Sequence, residues 1–345
     1  MREALLYDKV GGGVVKCGLC AQRCRVSDGN RGVCGVRENQ GGTLYSLVYG
    51  RPVALHVDPI EKKPLFHFHP GSLSYSMATV GCNLRCQHCQ NADISQTPKD
   101  GGLVPGEDVP PERVVEEALA SGCASISYTY TEPTVFMEYA LDTSRTAVDK
   151  GLKNVFVSNG FMTPESVDLI APYLHADNVD LKSFSDKFYR EVCGGRLEPV
   201  LDTLKLLVKK GVWVEVTTLI IPSLNDNVDE LGQIAEFIKS ELGAHVPWHV
   251  SRFHPDYKLN KLPATSSEIL RKALEMGEDA GLKYVYAGNI PHDDSENTYC
   301  YKCGSLLIER VGFNVLENNI VDSKCSECGA EVHGVGLDYH GETVE

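Results

Sequence analysis

The chain has little basic charge and lacks long apolar runs. Its 345 residues include 33 Lys and Arg against 47 Asp and Glu, which gives a formal net charge of -14. Because binding to a phosphate backbone is driven by Lys and Arg that displace counterions, this balance argues against a nucleic-acid partner. No stretch offers about eighteen uninterrupted apolar residues, and the first residues lack the apolar core of a signal peptide. We therefore expect no membrane span and a cytoplasmic location.

Cysteine, in contrast, is abundant. The chain has 13 cysteines and no export signal, which favours metal ligation over a disulfide framework. A structural metal site needs four ligands to close its shell, whereas a catalytic site keeps one position open. Most of the cysteines fall into groups of four, three and four, so the middle group is the candidate for chemistry. These groups are Cys17, Cys20, Cys24 and Cys34; Cys82, Cys86 and Cys89; and Cys300, Cys303, Cys325 and Cys328.

The last group has the spacing of a zinc ribbon. Two CxxC pairs are separated by 21 residues, and Gly304 and Gly329 follow them. Each pair can present two thiolates to one ion, and the glycine lets the chain turn beneath the sulfurs. Zinc is the interpretation that we favour, with iron in a rubredoxin-like site as the alternative.

The first group is spaced irregularly and fits either zinc or an auxiliary iron–sulfur cluster. Zinc is slightly favoured, because a closed four-thiolate site can fold a short segment that has no core of its own. Two cysteines remain outside the groups. Cys123, before an apolar run, is expected to be a small core residue. For Cys193, before two glycines, a structural role is favoured over that of a mobile hydrogen-atom donor.

The middle group lies in the segment VGCNLRCQHCQNADI, residues 80–94, where an apolar run predicts a strand followed by a ligand loop. Three thiolates can bind three irons of a cubane cluster and leave the fourth iron without a protein ligand. The spacing CxxxCxφC, with His88 at the usually aromatic φ position, resembles the radical S-adenosylmethionine superfamily. An ordinary iron–sulfur electron carrier, or a zinc site completed by His88, is the alternative.

This resemblance implies a [4Fe-4S] cluster held by Cys82, Cys86 and Cys89, with S-adenosylmethionine on the open iron. One electron splits the sulfonium, and the resulting 5′-deoxyadenosyl radical abstracts hydrogen from a substrate. His88 is expected near the adenine.

The residues after the loop alternate short β-rich runs with helical patterns, for example Leu201, Leu204, Leu207 and Val208 at helical spacing. Six or seven such units predict an α/β fold with a partial parallel (β/α)6-type, TIM-like barrel. We expect a Cys-rich metal-binding segment at 1–72, the barrel at 73–290 and a zinc-ribbon-like domain at 291–345. The strands after the first are predicted at 125–130, 154–158, 178–182, 212–220, 247–253 and 283–287.

Function in such barrels collects at the carboxyl ends of the strands. There the chain most resembles the pyruvate formate-lyase activating enzyme branch and, within it, the radical enzymes of the AmmeMemoRadiSam system. The resemblance covers nearly the whole chain. It is carried by DPIEKKPL at 58–65, GCNLRCQHCQN at 81–91, YTYTEPT at 128–134, VSNGF at 157–161 and both Cys-rich ends.

Carried over by position, the resemblance gives four residues a role in binding S-adenosylmethionine. Glu132 would hold its amino group, Asn159 its amino-acid or ribose part, Lys182 its carboxylate, and His254 would lie beside its ribose. Tyr130 and Thr131 replace the two glycines of the branch's Gly-Gly-Glu motif. The structural alternatives are a helix cap for Glu132, a solvated strand end for Lys182 and a packed surface ring for His254.

The preferred reaction is hydrogen abstraction from an unidentified substrate together with Memo-like and Ammecr-like partner proteins. The Cys-rich ends and the DPIEKKP segment favour it. The segment 58–70 is expected at the substrate entrance, with Lys62, Lys63, His67 and His69. The alternative is a glycyl-radical enzyme activase. Either enzyme needs a reductant such as flavodoxin or ferredoxin.

Overall fold

The computed structural model describes residues 1–99, 102–288 and 294–339. At the N-terminus, short strands form two antiparallel sheets, in the orders β2-β3-β4 and β1-β6-β5. Positive φ angles at the three glycines of the turn 11–13 let the chain reverse between β2 and β3. The four N-terminal cysteines lie within this segment. Its strands are β1 Arg2–Glu3, β2 Tyr7–Lys9, β3 Val15–Cys17, β4 Arg25–Val26, β5 Arg37–Gln40 and β6 Thr43–Ser46.

An eight-stranded sheet forms the centre of the molecule, and its strands are neighbours in chain order from β7 to β14. β7 pairs antiparallel with β8, and the other pairs are parallel. The predicted α/β fold with a mostly parallel sheet is therefore confirmed. In the described part of the chain β7 and β14 do not pair, so the sheet does not close there. The strands are β7 Ala54–Pro59, β8 Leu73–Ala78, β9 Ser125–Tyr128, β10 Lys153–Ser158, β11 Ala176–Asp180, β12 Trp213–Ile220, β13 Trp248–Arg252 and β14 Val285–Gly288.

Helices connect the parallel strands and cover the sheet. Thr163 caps α4 in a capping box with Ser166, and Asn227 caps α7 through two backbone N–H groups. The α-helices are α1 Ala92–Ser95, α2 Pro111–Ala120, α3 Met137–Asp149, α4 Pro164–Ile170, α5 Asp186–Phe188, α6 Glu198–Lys209, α7 Val228–Phe237 and α8 Ser267–Ala280. Two π-turns, Tyr189–Cys193 and Ile238–Leu242, extend α5 and α7. Short 3-10 turns occupy Ile60–Lys62, Pro133–Phe136, Tyr257–Leu259 and Asp294–Glu296. None of the helices in the described ranges is long and apolar enough to cross a membrane.

The C-terminal segment forms a small antiparallel sheet, β15-β16-β17, and the hairpin β18-β19. Its buried residues, including Leu307, Ile308 and Ile320, share one core with Phe66 and Tyr286 of the barrel side. The predicted boundary between residues 290 and 291 lies outside the described residues. The strands are β15 Thr298–Tyr299, β16 Leu306–Val311, β17 Asn314–Asn318, β18 Ile320–Val321 and β19 Lys324–Cys325.

A buried carboxylate joins the segment before β8 to the sheet. Glu215 of β12 accepts hydrogen bonds from the backbone N–H groups of Phe66, at 3.0 Å, and His67, at 2.8 Å. It also accepts one from Trp213 Nε1, at 3.0 Å, and lies 2.6 Å from His249 Nε2. Although burial opposes ionisation, the bond with His249 lowers the pKa of Glu215, so the group is an anion at neutral pH.

Candidate active site

The loop after β8 carries Cys82, Cys86 and Cys89 and is held by the protein around it. Gly81, which precedes the first ligand, has a φ of 101°. A Cβ there would lie 2.7 Å from a methyl of Val36 and 3.0 Å from the carbonyl oxygen of Cys34, so only glycine fits.

Two hydrogen bonds fix the far side of the loop. The backbone N–H groups of Arg85 and Gln87 donate to the carbonyls of Cys193 and Val192, at 2.7 and 3.0 Å. These acceptors belong to the π-turn after α5. The loop conformation is thus set by backbone contacts on both sides.

A cavity of about 550 Å³ opens beside this loop at the carboxyl ends of the strands. All three loop cysteines line it, as do polar residues that follow or end β9 to β13. It is large enough to hold a small organic molecule. The lining residues include Cys82, Cys86, His88, Cys89, Asn91, Tyr130, Thr131, Ser158, Asn159, Asp180, Lys182, Thr217, Leu219, Ser251, Lys62 and Lys63.

The three thiols suit a metal cluster with an open position. Cys82 and Cys86 are buried, and Cys89 is half-buried. Burial raises the pKa of Cys82, and a hydrogen bond with Cys193 together with burial raises that of Cys86. Buried thiolates require a positive partner, which bound metal supplies. Three sulfur donors facing an open cavity therefore fit a cubane cluster with one iron left for a ligand.

His88 lies beside the loop cysteines and lines the cavity. Its ring is buried, which lowers its pKa to about 3, with a smaller effect from the charge of Lys182. The ring is therefore neutral, and its Nδ1 has no hydrogen-bond partner among the residues that the structure describes. Ligand atoms of Cys86, His88 and Cys193 all lie within 4.8 Å of one another. The leftover Cys193 is thus packed against a candidate cluster ligand.

Asn159 and Glu132 form one connected pair. Asn159 Nδ2 donates to Asn83 Oδ1, at 2.8 Å, and lies 3.7 Å from Cys82 Sγ. Glu132 Oε2 accepts from the backbone N–H of Asn159, at 2.9 Å, while its Oε1 accepts from Thr134. The carboxylate of Glu132 is fully buried and is not part of the cavity lining. Asn159 thus reaches the cavity, and Glu132 stands behind it as a helix cap.

Lys182 lies two residues past the end of β11 and lines the cavity. Its Nζ is 2.6 Å from Asp180 Oδ2. Burial works against its charge, but the carboxylate of Asp180 and the nearby Cys86 outweigh it and raise the pKa of Lys182. Lys182 therefore places a cation, with an anion beside it, in the cavity close to the cysteine loop.

Tyr130 adopts the backbone conformation that glycine favours. Its φ is 61°, in the left-handed region that costs a non-glycine residue about 1 kcal/mol or more. Asn91 Nδ2 donates to the Tyr130 carbonyl at 2.7 Å, and the Tyr130 hydroxyl donates to Asp58. Tyr130 therefore occupies a left-handed turn, and hydrogen bonds from its backbone and side chain hold it there.

Lys62 and Lys63, which we expected at the substrate entrance, line the cavity. Asp58 binds both ammonium groups, each at 2.7 Å. Although burial opposes its charge, these bonds hold the pKa of Asp58 well below its usual range. Burial lowers the pKa of Lys63 to about 8. This part of the cavity lining therefore carries two cations on a single carboxylate.

His254 is exposed after β13 and is not part of the cavity lining. The structure instead brings in Thr217 and Ser251 from neighbouring strands, which sequence reasoning missed. Thr217 and Leu219 are two residues apart on β12, so their side chains point to the same face of the sheet. The two-residue period of a strand predicts this relation. Which face turns to the cavity depends on the pairing of β12 with β13.

The outer cysteine groups differ in their geometry. The four C-terminal sulfurs all lie within 4.8 Å of one another, with pairs 3.6 and 3.7 Å apart. The four N-terminal cysteines surround a small cavity of about 20 Å³. Both sets have the donors that a metal site requires.

Comparison with known proteins agrees with this site. Residues 77–238 match the sequence model described as the Radical SAM superfamily. The chain is 47% identical over 334 residues to an uncharacterized protein of Methanocaldococcus jannaschii, with 96% of this chain and 99% of that protein covered. It is 24% identical to the pyruvate formate-lyase-activating enzyme of Clostridium pasteurianum, over 56% of this chain and 85% of that enzyme.

Among solved structures, a radical SAM methyltransferase from Sphaerobacter thermophilus has the same fold, with a TM-score of 0.51 and 13% identity over 69% of this chain and 71% of that one. The chain belongs to the radical SAM superfamily and is an enzyme. Membership implies a [4Fe-4S] cluster and S-adenosylmethionine as its cofactors.

Proposed function

We propose that Cys82, Cys86 and Cys89 hold the [4Fe-4S] cluster and that S-adenosylmethionine binds in the adjacent cavity. When bound, the cluster supplies the electron that cleaves S-adenosylmethionine into methionine and a radical that takes hydrogen from a substrate. The observation that carries this proposal is the set of three thiols on one preformed loop, facing a cavity of about 550 Å³. Memo-like and Ammecr-like proteins are the proposed partners, and the substrate remains to be identified.

The chain's own residues would position S-adenosylmethionine. Asn159 offers its side chain beside Cys82, and the neutral ring of His88 offers a flat surface for the adenine. Lys182 provides the cation for the carboxylate group. Glu132 is assigned a positioning role, because both of its oxygens bind the chain and one holds the backbone of Asn159. The exposed position of His254 gives its proposed ribose contact no support.

Activation of a glycyl-radical enzyme is the second candidate. The 24% identity to a pyruvate formate-lyase-activating enzyme favours it. Enzymes of that kind use a reductant such as flavodoxin or ferredoxin, and we propose the same for this chain. Finding glycyl-radical signal in a co-purified partner enzyme would favour this candidate over the three-protein system.

The test is cleavage by the anaerobically reconstituted full-length protein. With dithionite, we expect it to turn S-adenosylmethionine into 5′-deoxyadenosine and methionine in equal amounts, measured by liquid chromatography. Absence of both products from protein that carries iron and sulfide would overturn the proposal.

Replacing Lys182 by methionine should weaken binding of S-adenosylmethionine about tenfold. The substitution keeps the length of the side chain and removes the charge that pairs with the carboxylate, which corresponds to roughly 1.4 kcal/mol. The KM for S-adenosylmethionine reports the change. Lys205→Met, on the exposed face of α6, is the matched control and should leave the KM unchanged. An unchanged KM in Lys182→Met would refute the assigned contact.

We propose that Cys300, Cys303, Cys325 and Cys328 bind zinc and form the core of a C-terminal domain, residues 291–345, after the barrel at 73–290 and the segment at 1–72. Sulfur pairs 3.6 and 3.7 Å apart suit tetrahedral zinc, whose bonds of about 2.3 Å place thiolates about 3.8 Å apart.

Cys325→Ser should therefore remove about one zinc per chain, as measured by elemental analysis of the full-length protein. Cys123→Ser, which alters a buried thiol outside the three groups, should leave the zinc content intact. Equal zinc in the two variants would contradict the assignment. For the N-terminal cysteines, the proposed metal is zinc or an auxiliary iron–sulfur cluster.

A further inference from the structure

The four N-terminal cysteines surround one small cavity that the proposed chemistry does not use. Cys17, Cys20, Cys24 and Cys34 all line it, together with apolar side chains and the buried guanidinium of Arg37. Cys17 and Cys34 are buried, and Cys20 and Cys24 are half-buried. Four thiols around one small space supply the ligand number that a closed metal site requires.

The spacing of the sulfurs separates the two kinds of metal site. In the described ranges, the C-terminal cysteines form a group whose ligand atoms all lie within 4.8 Å, the arrangement that one tetrahedral ion needs. Neither the N-terminal four nor the cluster-loop three form such a group in those ranges. In a cubane each thiolate binds a different iron, so the sulfurs must stand further apart than around a single ion.

The N-terminal sulfurs nevertheless face one another. All four cysteines line the same small cavity. Backbone N–H groups point at the sulfurs as well, as Val33 does toward Cys24 Sγ at 3.5 Å. Like the three thiols of the cluster loop, the N-terminal four do not form, in the described ranges, the compact group that the C-terminal four form.

The N-terminal site also touches the cluster loop. The carbonyl oxygen of Cys34 packs against Gly81, which is bonded to Cys82, and Gln22 Nε2 donates to the Asn83 carbonyl at 2.9 Å. The ammonium of Lys99 donates to the carbonyl oxygen of Leu84, within the cluster loop. On the other side, Cys20 and Cys24 are partly exposed. The site thus reaches from the surface to the first ligand of the loop.

We propose that Cys17, Cys20, Cys24 and Cys34 hold a second iron–sulfur cluster that passes electrons to the cluster at Cys82, Cys86 and Cys89. The relay rests on the proposed function, whereas the identity of the second metal does not. A reduced flavodoxin or ferredoxin would donate one electron to the N-terminal cluster. The same electron then moves to the loop cluster, so the donor is oxidised by one electron and no bond or proton is exchanged.

Metal content of the full-length protein tests the identity of the site. We expect about eight irons and one zinc per chain in the wild type, and about four irons with one zinc in Cys82→Ala/Cys86→Ala/Cys89→Ala. Mössbauer spectra of that triple variant should still show a [4Fe-4S] cluster. About four irons and two zincs in the wild type, with no iron in the triple variant, would overturn the proposal. Equal iron content in the wild type and the triple variant would instead show that the cysteine loop holds no cluster and that the iron belongs to the N-terminal site.

A second variant tests the relay. Cys17→Ser/Cys34→Ser should keep about four irons at the loop, which shows that the fold and the loop cluster survive. With reduced flavodoxin as the donor, its rate of S-adenosylmethionine cleavage should fall at least about tenfold. Cys123→Ser should retain the wild-type rate. An unchanged rate in the double variant would overturn the relay, and if that variant loses all iron, the triple variant still decides which metal the site holds.

Discussion

Replacing Cys82, Cys86 and Cys89 together by alanine is expected to abolish reductive cleavage of S-adenosylmethionine, with a fall of at least about 1,000-fold. The reason is that these thiols are the sulfur donors at the cavity, and without them no cluster stands beside the bound ligand. Alanine keeps each Cβ in place. The variant should therefore remain folded, because the loop is held by Gly81 and by the bonds from Arg85 and Gln87.

The measurement is the yield of 5′-deoxyadenosine under dithionite, with far-ultraviolet circular dichroism as the check on folding. Cys123→Ala is the matched control, since it removes a buried thiol that belongs to none of the three groups. It should cleave at the wild-type rate. Substantial 5′-deoxyadenosine from the triple variant would mean that these cysteines are not the site of the chemistry.

Replacing Glu215 by leucine is expected to lower the free energy of unfolding by about 3–5 kcal/mol. The wild-type carboxylate satisfies the buried backbone N–H groups of Phe66 and His67, the buried ring of His249 and the half-buried ring of Trp213. Leucine accepts nothing, so these donors lose their partner without gaining access to water. Urea unfolding followed by tryptophan fluorescence measures the change, and Trp213, one of the two tryptophans, lies beside Glu215.

Acid provides an independent check on Glu215. Its pKa is lowered in the folded protein, so its stabilisation is present above its unfolded pKa of about 4.3 and is lost as the pH falls through the lower folded value. The difference between wild type and Glu215→Leu should therefore shrink below about pH 4. Glu236→Leu, on the exposed face of α7, should change stability by less than about 0.5 kcal/mol. A similar loss in both variants would show that Glu215 has no special role.

Local patterns were sufficient for much of the fold. Apolar runs placed the strands from β9 to β14 within two residues of their observed bounds, because a buried parallel strand is nearly continuous in apolar character. The edge strand β7, Ala54–Pro59, was missed. Its His56 and Asp58 interrupt the apolar pattern, and only its pairing with β8 makes it a strand.

For the candidate site, features formed by residues close together in the sequence could be predicted, whereas contacts between residues far apart in the sequence could not. The cysteine loop is a local motif, and Asn159 and Lys182 follow directly on strand ends, so all of them were placed near the cavity. Glu132 was expected to face the ligand, but the N–H of Asn159, 27 residues away, takes one of its oxygens. Such hydrogen-bond partners, and the spacing of the N-terminal sulfurs, depend on tertiary packing, which a short sequence motif does not specify.

The π-turn at Tyr189–Cys193 has a consequence for how the enzyme matures. Through the bonds to Arg85 and Gln87, it gives the ligand loop its shape from protein contacts alone. The three thiols can therefore face the cavity before any cluster is bound, and cluster assembly then requires no rearrangement of the loop backbone.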